Sequence, residues 1–178
     1  VAAIGDVPSG WTHAFVNVYE TAEDLANSAS NWDPSSVLGI DQSLLNTVKL
    51  TDGGFSVQNW AVQTSLSAGE RTAESVTVWN FARPENLAGF INENKTLWKK
   101  QFETDMGGRI SWGVGLKLNN RSQNLSSVMT WDRYPSLADA YEALNQYEGG
   151  FSRASKMDEY DPDGWTAQVI VSDVMWVD

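Results

Sequence analysis

Two short clusters carry the residue types from which a site for a planar, apolar or aromatic molecule could be built: Trp79-Asn80 and Trp131-Asp132-Arg133-Tyr134. In each, a tryptophan ends an apolar extended run and polar groups follow where strand gives way to loop, a place where rigid scaffolds often carry sites. Indole supplies a flat wall with one N–H, and Asn, Asp, Arg and Tyr supply groups that orient a ligand or move a proton. His13, the sole histidine, is a candidate general base because imidazole titrates near neutral pH, with Asn17 and Tyr19 on its strand face. The catalytic candidates are therefore His13, Asn80, Asp132, Arg133 and Tyr134, and the ligand-binding candidates Trp60, Trp79, Trp112 and Trp131.

Other chemistries find less to work with. The chain has no cysteine, which excludes disulfides, thiolate nucleophiles and Cys-ligated metal centres. One histidine and no nucleophile elbow leave no Ser-His-Asp set to assemble. Glu159, Asp161, Asp163 and Gly164 reproduce the opening of a calcium loop, but its twelfth position falls on Ile170, where a bidentate acid is needed. An acidic turn without a metal is the expectation there. GGRISWGVG places glycines along a strand without the lysine or helix start that phosphate binding needs. Gly113 and Gly115 share one face of that strand, leaving room for a ligand, a bulge or an approaching backbone.

The tryptophans also obey a spacing. Trp60 and Trp79 lie 19 residues apart, as do Trp112 and Trp131, and the second pair follows the first by 52. NWAVQTSLSAGERTAESVTVW (59–79) aligns without a gap on SWGVGLKLNNRSQNLSSVMTW (111–131), sharing Trp, Val, Leu, Ser-Val and Trp. The pattern extends to the chain ends: GWTHAFVNVYETAEDLA (10–26) resembles the segments starting ESVTVWNFARPENLA (74–88) and SSVMTWDRYPSLADA (126–140). Each is an extended apolar run, a polar break and a helical pattern, with glycines at 53–54, 107–108 and 164 marking the return to a strand. One domain of three βαβ repeats, about 11–66, 74–118 and 125–177, is the organisation this predicts.

Spacing and caps support the helices. Pro84 suits a first helical position, with Leu87, Phe90, Ile91, Trp98 and Phe102 on one face to about Asp105. Leu137, Ala140, Tyr141, Leu144 and Tyr147 form a second such face, and Ala22, Leu25, Ala29 and Trp32 a third behind a Thr21–Asp24 capping box. Residues 33–51 read either as a helix around 43–50 or as a loop. In the strand after Gly108, Ile110, Trp112, Val114, Leu116 and Leu118 share an apolar face, opposite Arg109, Ser111, Gly113, Gly115 and Lys117. The short polar connectors 67–74 and 119–124 suit antiparallel hairpins.

Two βαβ units joined by a hairpin form the split-βαβ, ferredoxin-like arrangement, with helices on one sheet face and the other bare. The fold class expected is thus α+β, in order βαββαββαβ. In element order over residues 11–177 the chain resembles the dimeric α+β barrel superfamily, where two such sheets pack face to face. A third unit departs from that pattern: it extends the sheet, closes a six-stranded barrel, or pairs with another subunit. The resemblance implies self-association, as a homodimer, through the open sheet face. It also implies a functional range that includes cofactor-independent monooxygenases, haem-degrading enzymes, chlorite dismutase-like haem proteins and lactone isomerases. Haem needs an axial ligand, and His13 does not stand where the family's ligand is expected, so no cofactor is anticipated.

Composition narrows the partners. The net charge of −11, from 23 acidic and 12 basic residues, repels nucleic acid and anionic lipid. No apolar run reaches the roughly 18 residues of a membrane span. A soluble protein, cytoplasmic or exported, follows; the opening VAAIGDVPSG, without Met, suits either a cleaved leader or a trimmed start. Sequons at Asn94, Asn120 and Asn124 matter only in a eukaryotic secretory protein. Two functions compete: binding of a small apolar or aromatic molecule on the open sheet face without catalysis, and a cofactor-independent monooxygenase- or isomerase-like enzyme using the same face. Residues repeated by symmetry favour packing and binding over catalysis.

Overall fold

Strand alternation is visible in what each residue buries. From Val128 to Tyr134, odd and even positions alternate between half-buried and fully buried, as one-sided packing requires. A computed structural model describes residues 2–4, 19–30, 60–118, 126–147 and 165–172. The chain divides into two compact units, 1–8 with 57–178, and 9–56. The larger is α+β, with strands β1 (Ala2–Ile4), β2 (Trp60–Ser67), β3 (Val76–Ala82), β4 (Ser111–Lys117), β5 (Val128–Tyr134) and β6 (Trp165–Ser172). Within the smaller unit the described helix is α1 (Ala22–Ser30).

The strands form one antiparallel sheet in the order β1-β6-β3-β5-β4-β2. Because β3 and β4 each pair antiparallel with β5, they run parallel to one another with β5 between them. By the same logic β5 and β6 run parallel, with β3 between. Each strand-helix-strand passage thus skips one strand, and the two passages interleave. The 119–124 connector joins neighbours, as expected. The expected 67–74 hairpin is overturned: β2 pairs with β4, not β3. Both edges of β3 are already filled along seven-residue registers by β5 and β6, so the free edge of β4 is the one left for β2.

Helix α2 covers β2, β4 and the near half of β3 and β5. It runs as an α-helix over Leu87–Glu93, a π-helical stretch over Asn94–Trp98 and an α-helix over Lys99–Thr104. Four of the five buried positions, Phe90, Asn94, Trp98 and Phe102, recur every four residues, with Glu93 the fifth. At 3.6 residues per turn such a row drifts around the helix, and one wide turn restores it to a single face. The amide of Asn94 donates to Phe90 O (2.9 Å) and the hydroxyl of Thr96 to Asn92 O (2.8 Å), satisfying carbonyls near the altered turn. The sequon asparagine is thus a buried helix residue. Pro84 precedes the helix; Asn86 caps it, its side chain accepting from the Gly89 N–H at 2.9 Å.

The α2 core stacks Trp98 on Phe102 (5.7 Å) and tilts Phe102 against Trp112 (5.0 Å), with Ala82, Val114 and Val128 closing it. Burying each of these large side chains contributes roughly 1.5–3 kcal/mol. Helix α3 (Leu137–Tyr147) packs on the same sheet face through Ala140 and Ala143, against Val76, Val78 and Tyr134. Its inner stripe differs from the expected one, since Leu137 and Tyr141 are exposed. Alanines let the helix lie close to the sheet, which leaves the larger residues pointing outward. Ser136 and Asp139 cap it reciprocally, with Ser136 Oγ donating to Asp139 Oδ2 (2.6 Å) and accepting from the Asp139 N–H. Thr21 and Asp24 form the expected equivalent at α1, where the Thr21 N–H donates to Asp24 Oδ2 at 3.1 Å.

Between α2 and β4 the chain reverses through Gly107 (φ +56°) and Gly108 (φ +78°). Left-handed geometry at two successive residues is what makes glycine the economical choice there. The Gly107 N–H donates to Asp105 Oδ1 (2.8 Å), and the turn delivers Arg109 into the interior. His13, the strand expected near it, residues 33–51, and Glu159, Asp161 and Asp163 lie outside the described residues, as do the sequons at Asn120 and Asn124.

Candidate binding face

Register sorts the site candidates onto two faces. Antiparallel partners point to the same side of a sheet, so Val169, Trp79, Trp131, Gly113 and Ser65 form one cross-strand row. Two residues away lie Val171, Thr77, Arg133, Ser111 and Ser67; in the other direction lie Phe81, Met129, Gly115 and Val62, then Lys117 with Trp60. This is the face opposite α2 and α3. The helix-side face carries Asn80 with Thr130, Asp132 with Trp112, and Tyr134 with Val76. Residues adjacent in sequence thus separate: Trp79 from Asn80, and Trp131 from Asp132.

On the face opposite α2 and α3 the aromatic rings gather. Trp79 and Trp131, 52 residues apart in sequence, are direct cross-strand partners with ring centroids 6.0 Å apart at 45°. Trp60 reaches Phe81 at 6.0 Å and 55° although two strands lie between them. All four rings are half-buried, so each keeps some exposed surface. The room expected at Gly113 is filled from within: a Cβ there would stand 2.1 Å from Trp131 Cζ2. The indole lies across the bare backbone of β4, and its N–H donates to Ser111 Oγ at 3.4 Å. At Gly115 a Cβ would meet Met129 Cε at 3.0 Å and Trp60 Cβ at 3.5 Å.

Trp60 and Trp112 occupy matching places in the sequence repeat but opposite faces. The reason is a β-bulge between Val62 and Thr64, which leaves Gln63 without a partner in the β4 ladder. One extra residue turns everything before it to the other side. Trp60 therefore joins the aromatic face, while Trp112, 3% exposed, packs beneath α2. Gln63 is tied to the helix by Lys95, whose Nζ donates to Gln63 Oε1 at 3.2 Å. Repeat spacing alone gives no signal for the bulge.

Among the described residues, two cations stand on the aromatic face. Arg133 Nε donates to Thr77 Oγ1 (3.0 Å), fixing a half-buried guanidinium one row from the tryptophan pair. Lys117, 3% exposed, lies over the Trp60 ring with Nζ 5.4 Å from its centroid.

The helix side holds a separate polar network. Gln168 Nε2 donates to Asn80 Oδ1 (2.7 Å); Asn80 Nδ2 donates to Asp132 Oδ2 (3.1 Å) and Thr130 Oγ1 (3.2 Å). Asp132 also accepts from Arg109 Nε in a buried ion pair. Arg109 stacks between Phe102 (4.7 Å) and Tyr134 (5.4 Å) and donates from Nη1 to Met106 O at 3.1 Å. The pairing of Arg109 with Asp132 has no sequence signal beyond the Gly-Gly turn that points Arg109 inward. Charges buried this way are paired and hydrogen-bonded, as an interior demands. Asn80, Asp132 and Tyr134 are thus engaged in the interior, and among the described catalytic candidates Arg133 is the one that shares a face with Trp60, Trp79 and Trp131.

Two open grooves flank α2 on the helix side, of about 310 Å³ beside Leu66, Phe102 and Met106, and about 500 Å³ beside Leu87, Ile91, Lys95 and Leu116. No group of three or more metal-ligating His, Cys, Asp or Glu residues occurs among the described residues. Among those residues no helix is long and apolar enough to cross a membrane.

No family model and no curated protein matches the chain. Among solved structures it is similar to one described as a major regulator of staphylococcal pathogenesis, with 11% identity and a TM-score of 0.43, covering 71% of this chain and 77% of that one.

Proposed function

We propose that the chain is a binding protein for a small aromatic molecule, held on the sheet face opposite α2 and α3. The observation that carries this reading is the gathering of Trp60, Trp79, Phe81 and Trp131, four half-buried rings, on the side of the sheet that α2 and α3 leave uncovered. Flat rings with residual exposure offer stacking partners to a planar ligand. The enzymatic alternative loses its expected polar set, because Asn80, Asp132 and Tyr134 face the helices, away from these rings. A second copy of the chain is the proposed cover for the face, giving a homodimer with the ligand near its interface.

The finer architecture belongs to the same proposal. The second and third βαβ units interleave in the ferredoxin-like manner, and the first contributes α1 and β2, with β2 extending the sheet beyond β4. Support comes from the repeat-equivalent pairs Trp79 with Trp131 and Asn80 with Asp132. A local two-fold relation between β3 and β5 sets the first pair directly opposite and hydrogen-bonds the second.

Titration of intrinsic tryptophan fluorescence with a panel of aromatic acids and haem tests the reading. Saturable quenching by an aromatic acid, lost in Trp131→Leu with the fold retained by circular dichroism, is the expected result. Silence across the panel refutes a ligand site on this face.

A further inference from the structure

We infer a second binding site, on the helix side of the sheet: the groove between α2 and β2 takes a medium-chain alkyl carboxylate, its acid group paired with Lys95 and its chain lying along Ile91 and Leu87. The groove has a volume of about 500 Å³, within the range of roughly 300–1,000 Å³ typical of small-molecule sites. Its floor is apolar. Leu87, Ile91 and Leu116 are half-buried, packed on the α2 core from one side and lining the groove from the other. Its polar groups, Gln63, Asn92 and Lys95, include one cation, and none of the described lining residues is acidic. On a protein with 23 Asp and Glu against 12 Lys and Arg that balance is local, and it suits an anionic head with an apolar tail.

Both elements that border the groove depart from regular geometry where they touch. Gln63 is the residue that the β2 bulge leaves out of the ladder, and Lys95 lies in the π-helical turn Asn94–Trp98. Bulges and π-helical turns re-aim side chains and recur at functional sites. Here they are joined. Lys95 Nζ donates to Gln63 Oε1 at 3.2 Å, and Gln63 Nε2 donates to Ala61 O at 3.2 Å, which anchors the ammonium to the strand. An ammonium carries three donors, so it can bond Gln63 and hold a carboxylate as well. Leu87, Ile91 and Lys95 follow one another at four-residue steps along α2, and the eight residues from Leu87 to Lys95 advance roughly 12 Å. A head at Lys95 thus sets an extended chain along Ile91 and Leu87, beside Leu116. Ala88, exposed next to Leu87, is too short to close the groove.

The test is calorimetric titration of the full chain with two probes of equal shape, octanoate and octanamide. Octanoate is expected to bind about threefold to fivefold more tightly, the most that pairing with an exposed ammonium gives. Lys95→Met should bring the two probes to equal affinity, and Lys95→Arg should keep most of the preference. Ala88→Phe, at an exposed helix position where the fold is retained, should weaken both probes at least tenfold by filling the groove, while Trp131→Leu leaves both unchanged. Equal binding of the two probes by the unaltered protein overturns the assignment of an acid group to Lys95. Octanoate binding that survives Ala88→Phe and is lost in Trp131→Leu overturns the site, placing the chain on the aromatic face instead. Self-association in sedimentation that Ala88→Phe abolishes also overturns it, because a second copy then covers the groove. Absence of binding by either probe refutes this inference and leaves the aromatic-ligand reading to its own titration.

Discussion

Gly113→Ala tests whether the Trp131 indole lies where a side chain on β4 would otherwise be. The added Cβ would stand 2.1, 2.4 and 2.6 Å from Trp131 Cζ2, Cη2 and Cε2, so the ring must retreat by more than about 1 Å to reach ordinary contact. Retreat disturbs the 6.0 Å pairing with Trp79 and the 3.4 Å bond to Ser111. Overpacking of this kind costs about 1–3 kcal/mol, and loss of a ring pair about 0.5–1.5 kcal/mol. Against this, alanine in a strand interior gains about 0.5–1 kcal/mol over glycine. The balance is a destabilisation of about 1–3 kcal/mol. Urea unfolding followed by circular dichroism should show it as a lower midpoint, by on the order of 1 M, at unchanged m-value. The decisive comparison is the same substitution in a Trp131→Leu background: the clash is gone, so alanine should become neutral or stabilising. If Gly113→Ala has one sign and size in both backgrounds, the ring does not occupy that space.

Arg109→Met strips the partner from Asp132, which is 8% exposed, and should destabilise by about 3–5 kcal/mol in the same assay; adding Asp132→Leu should recover much of that, and a single-variant cost below about 1 kcal/mol would argue against a buried ion pair. Gly108→Ala meets no atom within 4 Å, so its cost is purely that of the +78° φ, about 1–2 kcal/mol, and Gly108→Asn should cost less because asparagine tolerates that region; equal urea midpoints for glycine, alanine and asparagine would refute the left-handed turn.

Residues whose partners are close in sequence were the legible ones. The Thr21–Asp24 box, the α2 stripe of Phe90, Trp98 and Phe102, and the alternation of β4 from Ser111 to Lys117 follow from local periodicity and capping and stand as read, whereas Arg109, expected on the face of Ser111, turns to the helix side and pairs with Asp132. Non-local pairing was harder. A short polar connector at 67–74 reads as a hairpin, yet it carries the chain past β4 and β5, because the competition for the edges of β3 is settled by β5 and β6. Periodicity likewise misread α3: Leu137 and Tyr141 lie on an apolar stripe by spacing, but the alanines at 140 and 143 allow close approach and win the inner face. The π-helical turn at Asn94–Trp98 was foreshadowed only by the four-residue recurrence of Phe90, Asn94, Trp98 and Phe102.

The site candidates show why sequence adjacency misleads on a sheet. Trp79-Asn80 and Trp131-Asp132 look like composite sites, an aromatic wall beside a polar group, but neighbours in a strand point to opposite faces. What a strand offers to one ligand is the i, i+2 series: Thr77, Trp79 and Phe81 from β3, and Met129, Trp131 and Arg133 from β5. Read with that period, the repeat-related segments divide into two assemblies with different tasks. Asn80, Thr130 and Asp132, with Arg109 and Gln168, form a hydrogen-bonded line that lies within the helix-side interior. Such a line penalises any slip in β3–β5 register, since a shift by one residue would bury Trp79 or Arg133 in place of Asn80 or Asp132. The register that the polar line enforces is also the one that sets Trp79 opposite Trp131 and Arg133 opposite Thr77. The buried network thus acts on the proposed binding face only by fixing its geometry.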